Sequence, residues 1–411
     1  MNNQGKTPNT MSRAVTRRLP LLGLAAFATM AALRICDALL PSLALEFGAT
    51  TGQAGQTVSA FAISYGLTLL LYGPLGDRFG KFPVVAVATL ACTIVSAICA
   101  MAQSLNGLIA FRALSGAAAA GVTPLVMAWI GDAVPYERRQ EVLAQLIGAT
   151  TLGLIGGQSL GGVLADTLGW RSAFWLLALL FAIASTLMCI ELRRGGVELQ
   201  TDSPPEALSQ SMAFHRSIRA LLVDRWARRV LGFAFFEGVF VFGGLAFLPA
   251  HLHRRFGLPM SWAGGVLVLY GLGGLLYSRL ARVLLRRIGE TGLARMGGTL
   301  LCFYFGLLAA LPAWGWALPA CFAGGLGFYM LHNTLQTHAT QMVPAARGTA
   351  VTVFSSSLFM GQSIGVACAA VIVDAGSAIP VFIVSSFMLP IIGWWFAAEI
   401  GAVRRNEAPE R

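Results

Sequence analysis

The sequence predicts an all-α membrane protein in which twelve transmembrane helices form two pseudo-symmetric six-helix bundles. Three observations carry that expectation. Of 411 residues, 56% are apolar before the 47 glycines are counted and only 11% are charged, against about 25% charged in an ordinary soluble domain. The apolar residues gather into twelve runs, each near the roughly 20 residues needed to cross a hydrocarbon core as a helix. Finally, the runs on either side of one long hydrophilic interval repeat each other's motifs. A water-soluble globule is excluded.

The runs, numbered here as helices 1 to 12, cover roughly 19–42, 54–75, 83–102, 106–130, 141–165, 171–192, 229–250, 261–283, 293–312, 315–337, 346–373 and 378–402. Placement of the 29 Lys and Arg residues sets the topology. With the N-terminus inside, three fall outside (Arg171, Arg254, Arg255), two fall within helices (Arg34, Arg112) and the other 24 collect inside. The positive-inside rule therefore predicts that both termini are cytoplasmic. The first 18 residues have no apolar core of their own, so helix 1 is expected to be a retained anchor and not a cleaved signal. Short external loops fit a plasma-membrane protein, with a bacterial inner membrane the expected site.

A net charge of +11 raises the question of nucleic acid. The charges sit at helix ends on one side, and the basic stretch from His215 to Arg229 reads as a solvated connector at an anionic leaflet, so no nucleic-acid partner is expected. All seven cysteines lie in apolar runs without a CxxC pair, and they read as packing residues. His251 and His253 form an HxH in an outer loop with no acidic or Cys ligand beside it, so no metal is expected.

The expected organisation is a cytoplasmic tail (1–18), a six-helix bundle (19–192), a cytoplasmic linker (193–228), a second bundle (229–402) and a short tail (403–411). The linker contains Thr201-Asp-Ser-Pro-Pro205. Helix 5 carries Gly157-Gln158-Ser159-Leu160-Gly161 and helix 11 carries Gly361-Gln362-Ser363-Ile364-Gly365, an offset of 204. The end of helix 2, Gly73-Pro-Leu-Gly76-Asp77-Arg78-Phe-Gly80-Lys81, is matched at the end of helix 8 by Gly274-Leu-Leu-Tyr-Ser278-Arg279-Leu-Ala281-Arg282, an offset of 201. Two similar offsets, each joining helix n to helix n+6, indicate a parallel duplication.

On these motifs the chain resembles the major facilitator superfamily over nearly its whole length. Gly73 to Lys81 is similar to that superfamily's loop signature GxxxDRxGR, with Lys81 in place of the last arginine. Leu108 to Gly116, with Arg112, resembles the helix 4 motif of proton-coupled exporters. Gly153, Gly157, Gly161 and Gly162 resemble the helix 5 motif GxxxGPxxGG, with Gln158 where that motif has proline. Asp37-Ala-Leu-Leu-Pro41 resembles the helix 1 motif of the drug/proton antiporter group, and Gly169-Trp170-Arg171 and Pro344-xx-Arg347-Gly348 are further habits of the superfamily. The resemblance implies the corresponding fold, with affinity to bacterial drug and sugar efflux permeases. It also implies that Gly73, Gly76, Asp77, Arg78, Gly80 and Lys81 latch the halves together in the outward-open state, Asp77 lying against the start of helix 11. Gly153, Gly157, Gln158, Gly161 and Gly162 form a helix-packing motif.

A charge at bilayer depth costs at least about 2.5 to 3.5 kcal/mol, so each needs a partner or a hydrated cavity. Arg34 and Asp37 in helix 1, Arg112 in helix 4 and Glu237 in helix 7 are the four well inside helices. Nested three-helix repeats make helices 1, 4, 7 and 10 equivalent, and the superfamily lines its cavity chiefly with that set. Helix 10 adds Tyr329, His332, Asn333 and Gln336 on one face. Asp37 and Arg112 lie at matching depths, roughly 8 to 9 Å from the outer surface at 1.5 Å rise per residue, and are expected to pair. Arg34 and Asp37, three residues apart, are alternatively a fixed structural pair. Glu237 lies between Phe236 and Phe240, at a depth that puts it near His332 and Asn333. The candidate substrate and proton residues are thus Arg34, Asp37, Tyr65, Arg112, Glu237, Tyr329, His332, Asn333 and Gln336. Tyr65 reads equally as a cavity wall or as packing, and Gln158 and Gln362 read first as interhelical hydrogen-bonding groups.

These features predict a secondary transporter that exports a small organic molecule in exchange for protons by alternating access. Its partners would be substrate, protons and the bilayer, and it would act as a monomer. No cofactor is expected beyond the proton gradient, because the chain has no GxxxxGK[ST] phosphate loop. Proton-coupled uptake is the alternative. A receptor or an intramembrane enzyme is more remote, since HExxH and paired intramembrane aspartates are both absent.

Overall fold

The computed structural model describes residues 13–194, 218–221, 223–343 and 347–407. Most of the tail expected at 1–18, the greater part of the linker expected at 193–228, Pro344 and the last residues of the chain lie outside the described residues. Among the described residues every regular element is helical.

All twelve expected helices are present. Helix 1 runs Arg13–Arg34, tightens into a 3₁₀ turn at Ile35–Ala38 and resumes over Leu40–Glu46. Helix 2, Thr51–Phe79, opens with a capping box: the Thr50 hydroxyl accepts from the amide of Gln53, whose side chain accepts from the amide of Thr50. It closes at Gly80, whose φ of 85° suits glycine. Helix 3 is Lys81–Ala100, and helix 4 runs Leu105–Ala119 and continues after a bend as Val122–Ala133. Helices 5 and 6 are Tyr136–Thr167 and Trp170–Arg194. Helix 7 runs Arg225–Glu237, widens into a π-helical turn over Gly238–Phe242 and ends with Leu248–Phe256. Helices 8 and 9 share the stretch Met260–Ala310, divided at Gly289 where φ is 67°. Helices 10, 11 and 12 are Ala317–Gln341, Arg347–Asp374 and Ile379–Glu407.

Several ends extend past their apolar runs, as at Arg13, Phe256 and 286–288. Basic residues there carry the helix out of the hydrocarbon layer, which hydropathy alone does not register. Among the described residues, ten stretches are long and apolar enough to cross a membrane. One of them holds helices 8 and 9 together, and helix 10 falls short because its polar face dilutes its hydropathy. The outer surface is apolar: Leu71, Val87, Phe303 and Val371 are more than half exposed. Such a surface is stable only against lipid.

Glycines bring the helix backbones into contact inside each half. A Cβ at Gly153, Gly157 or Gly161 would lie 2.3, 2.4 or 2.7 Å from the carbonyls of Phe27, Ala31 and Ile35, so helix 5 rests on helix 1. The repeat does the same: a Cβ at Gly361 or Gly365 would meet the carbonyls of Phe235 and Val239 at 2.0 and 2.2 Å, setting helix 11 on helix 7. The broken turns are also equivalent, since adding the offset of 204 to Ile35–Ala38 falls within Gly238–Phe242.

Contacts between the halves run along helices 2 and 11 and along helices 5 and 8. The Ser59 and Ser363 hydroxyls lie 2.9 Å apart and each donates to the other's carbonyl, at 2.7 and 3.0 Å. Ser356 donates to the carbonyl of Gly66 at 2.7 Å. Among the described residues, the hydrogen bonds that join the halves lie between this last pair and the end of the bundle away from the basic loops. That end is closed.

Gly361→Ala is therefore expected to force helix 11 off helix 7 and to cost about 1 to 3 kcal/mol, the usual penalty of overpacking. Gly232→Ala in helix 7, where a Cβ meets nothing within 4 Å, should be neutral or slightly stabilising. Thermal unfolding of the two variants in detergent checks the contrast.

Candidate functional site

Three of the four intramembrane charges sit at or beside broken turns, and the fourth, Arg112, lies inside helix 4. Asp37 is within the 3₁₀ turn of helix 1, with Arg34 just before it, and Glu237 immediately precedes the π turn of helix 7. Interrupted hydrogen-bond ladders of this kind recur at functional sites.

In the N-terminal half Asp37 is fully buried, and one of its oxygens takes both of its bonds. Arg34 Nη1 lies 3.5 Å from Oδ2 and Gln158 Nε2 donates to the same oxygen at 3.2 Å, while Oδ1 has no partner. The Arg34 contact is long for a charge-assisted bond, which is usually about 2.7 to 2.9 Å. The same guanidinium lies 4.3 Å from the centre of the Phe242 ring, so Arg34 reaches across to the broken turn of helix 7.

The expected pairing of Asp37 with Arg112 is not made. Arg112 is fully buried and donates from Nη2 to the carbonyl of Ala32 at 3.0 Å and from Nε to that of Thr57 at 3.4 Å. Its guanidinium faces the Phe61 ring at 4.3 Å. Ala32 belongs to the last turn before the break in helix 1, where carbonyls lose their regular helical donors, and Arg112 supplies one. Tyr65 also departs from a cavity role: its ring packs 4.4 Å from that of Phe359, in the seam between helices 2 and 11.

In the C-terminal half, Glu237 is fully buried and its Oε2 lies 2.9 Å from Nδ1 of His332. Its other oxygen is unpartnered. The aromatic surroundings differ from those expected. Phe236 is half exposed and stacks on Phe240, whereas the His332 ring lies between Phe328 at 5.0 Å and Phe354 at 5.6 Å. Tyr329, His332, Asn333 and Gln336 are all half-buried, whereas Phe328, Met330, Leu331, Thr334 and Leu335 are buried. The polar face of helix 10 thus borders open space. Tyr329 packs over Gly274, and Asn333 faces the hydroxyl of Tyr277.

Two residues belong to this site that the sequence did not assign to it. Gln158, read as an interhelical hydrogen-bonding group of the helix 5 packing motif, does bond across to helix 1, and its partner there is Asp37. Tyr270 in helix 8 is buried with its hydroxyl unpartnered, within electrostatic range of Tyr329, Arg34 and Glu237. A lone Tyr in an apolar helix gave no signal. Gln362, the repeat of Gln158, is fully buried with both amide atoms unpartnered.

Among the described residues, the loop after helix 2 makes no hydrogen bond or ion pair to the C-terminal half. Asp77 is exposed and makes no hydrogen bond or ion pair among the described residues. Lys81 pairs instead with Asp132 in the same half, Arg78 lies over Phe79, and Gly76 packs on Leu125. A Cβ at Gly73 would meet nothing within 4 Å. Among the described residues, no hydrogen bond or ion pair joins Asp77 to helix 11 while the opposite end of the bundle is closed.

Residues 22–365 match the family model described as Major Facilitator Superfamily. The chain belongs to the Major Facilitator Superfamily. Being a member, it is a multi-pass membrane transporter of the secondary type. It is 27% identical over 367 residues to the inner membrane transport protein YnfM of Escherichia coli, covering 87% of this chain and 85% of that one. It is 29% identical over 175 residues to the multidrug export protein EmrB of Haemophilus influenzae, covering 43% of this chain and 34% of that one. A crystal structure of the nucleoside transporter NupG superposes with a TM-score of 0.73 over 93% of this chain and 98% of that one, at 14% identity. This last likeness establishes the superfamily fold alone.

Replacing Arg112 tests how this member holds a buried cation without a carboxylate. Arg112→Lys, which cannot reach two carbonyls and a ring face together, should leave a backbone carbonyl unpaired at a cost of about 1 to 3 kcal/mol. It should lower thermal stability in detergent more than Arg78→Lys on the exposed loop.

Proposed function

We propose that the protein exports a small organic molecule in exchange for protons, with Glu237 as the coupling carboxylate and the polar face of helix 10 as part of the substrate wall. The observation that carries this reading is the Glu237–His332 pair, fully buried at one end and open at the other, beside a broken turn. A carboxylate whose surroundings alternate between a closed wall and a hydrated cavity changes its proton occupancy with conformation. His332, 15% exposed at the cavity edge, can pass that change between Glu237 and the open space. Tyr270, with its free hydroxyl, and Arg34, held loosely by Asp37, supply the remaining polar groups near the site.

The positive-inside bias supports a cytoplasmic location for the basic end and both termini, and the similarity to an inner membrane protein supports a bacterial inner membrane. In that orientation the closed end faces outward and the cavity faces the cytoplasm. Residues 19–192 and 229–402 would then rock as two units joined by the 193–228 linker, in a monomer, with Gly73 to Lys81 engaging in the opposite state. Similarity to a multidrug export protein and the helix 4 and helix 5 motifs favour export. Gln158 in the proline position favours uptake by symport, and the direction of substrate movement under an imposed pH gradient decides between them.

Glu237→Gln is expected to abolish proton-driven net transport in proteoliposomes while exchange of a neutral substrate survives. Should Glu237→Gln transport normally and only lose thermal stability, as much as His332→Gln does, the pair is a structural contact between helices 7 and 10. Substrates for the assay come from a growth-inhibition panel with and without expression.

A further inference from the structure

The closed end of the bundle is fastened by two aspartates that each half lends to the other. Asp374, the last residue of helix 11, accepts from the amide of Gly52 at 2.8 Å and from the Thr50 hydroxyl at 2.6 Å, at the start of helix 2. Asp166, near the end of helix 5, accepts from the amides of Met260 and Ser261 at 3.1 and 2.7 Å, at the start of helix 8. The two contacts join corresponding helix ends, 5 with 8 and 11 with 2, although Asp374 lies four residues, about one helical turn, beyond the position that the 204-residue offset gives for Asp166. Both carboxylates use both oxygens, and both sit where free amides and the helix dipole favour an anion.

The two helices need this help to different degrees. Helix 2 has its own capping box, whereas helix 8 begins after Pro259, which offers no side-chain cap. Behind each carboxylate the backbones touch: a Cβ at Gly52 would lie 2.3 Å from the carbonyl of Ala370, and one at Gly162 2.2 Å from that of Met260. Each joint is thus a side-chain cap over a backbone contact. None of these groups lies near Glu237 or Asp37 in the chain, and neither aspartate is used in the mechanism above.

We propose that Asp166 and Asp374 are positioning residues that act together as a two-point clasp on the closed face, and that this face opens only when both caps release. Rigid halves cannot part at one joint and stay closed at the other, so the two caps share one equilibrium. Loss of either shifts it toward the open form, by about 5-fold for a single cap and about 25-fold for both when their contributions to that one equilibrium add. The consequence for transport rests on the alternating-access reading, but the clasp itself does not.

The test is hydrogen–deuterium exchange of the full-length protein in lipid nanodiscs, without substrate or gradient, so that its outcome is separate from the role of Glu237. Asp166→Ala is expected to speed exchange in the peptide containing Met260 and Ser261 and also in the one containing Gly52, and Asp374→Ala to do the same in reverse. Should Asp166→Ala compromise folding, Ser261→Pro removes one donor from the other side of the same joint, and proline is tolerated in a first helical turn. Faster exchange confined to the joint that was mutated, for either aspartate, would mean two independent helix caps and would overturn the clasp.

Discussion

Arg112 carries a buried positive charge that makes no ion pair among the described residues, and that single constraint organises the N-terminal half. Its guanidinium can stay in an apolar interior only if its donors find strong acceptors. The acceptors are the carbonyls of Ala32 in helix 1 and Thr57 in helix 2, so three helices must meet at one depth. Ala32 can serve because helix 1 changes to a 3₁₀ turn one residue after Arg34. That turn in turn brings Asp37 within reach of Gln158 on helix 5. Relaxing any one of these groups leaves another polar atom unpaired.

The repeat imposes the same plan on the other half with different chemistry. Helix 7 breaks at the equivalent place and helix 11 approaches it through equivalent glycines, yet the C-terminal half has one acid and a histidine where the N-terminal half has two arginines and an acid. Arg34 and Asp37 are both nearly inaccessible, and Asp37 is held from two sides. Glu237 is held from one side only, by a histidine at the edge of open space. Duplication supplied the frame, and divergence placed two arginines with an acid in one half and an acid–histidine pair in the other.

Hydropathy and charge placement were enough to read the twelve helices, because burial in lipid leaves few alternatives to an apolar run with basic ends. The meeting of Glu237 with His332 was legible too, since depth and helical face together narrow a partner to one turn. The partners of Arg112 were not legible: a backbone carbonyl has no sequence signature, and a carboxylate at matching depth looked the better mate. Phe236 and Phe240 misled for a geometric reason. The first is about 100° round the helix from Glu237, and the π turn rotates everything after Gly238 out of α register. Broken turns displace side chains by a fraction of a turn, which periodicity arguments cannot follow.

The breaks also join the two clusters. Arg34 makes its long contact with Asp37 and at the same time lies over Phe242, at the end of the π turn that follows Glu237, so the broken turn of one half touches that of the other. A cation on an aromatic face contributes about 0.5 to 2 kcal/mol, depending on how far it is desolvated. That is large enough to bias two conformations and small enough to be given up during a cycle. In the proposed rocking of the two halves, this contact changes with the angle between them, while the bonds from Arg112 to helices 1 and 2 lie within one half and do not. On that proposal Arg112 preserves the shape of its half, and Arg34 is the charge whose surroundings change as that half moves relative to Glu237.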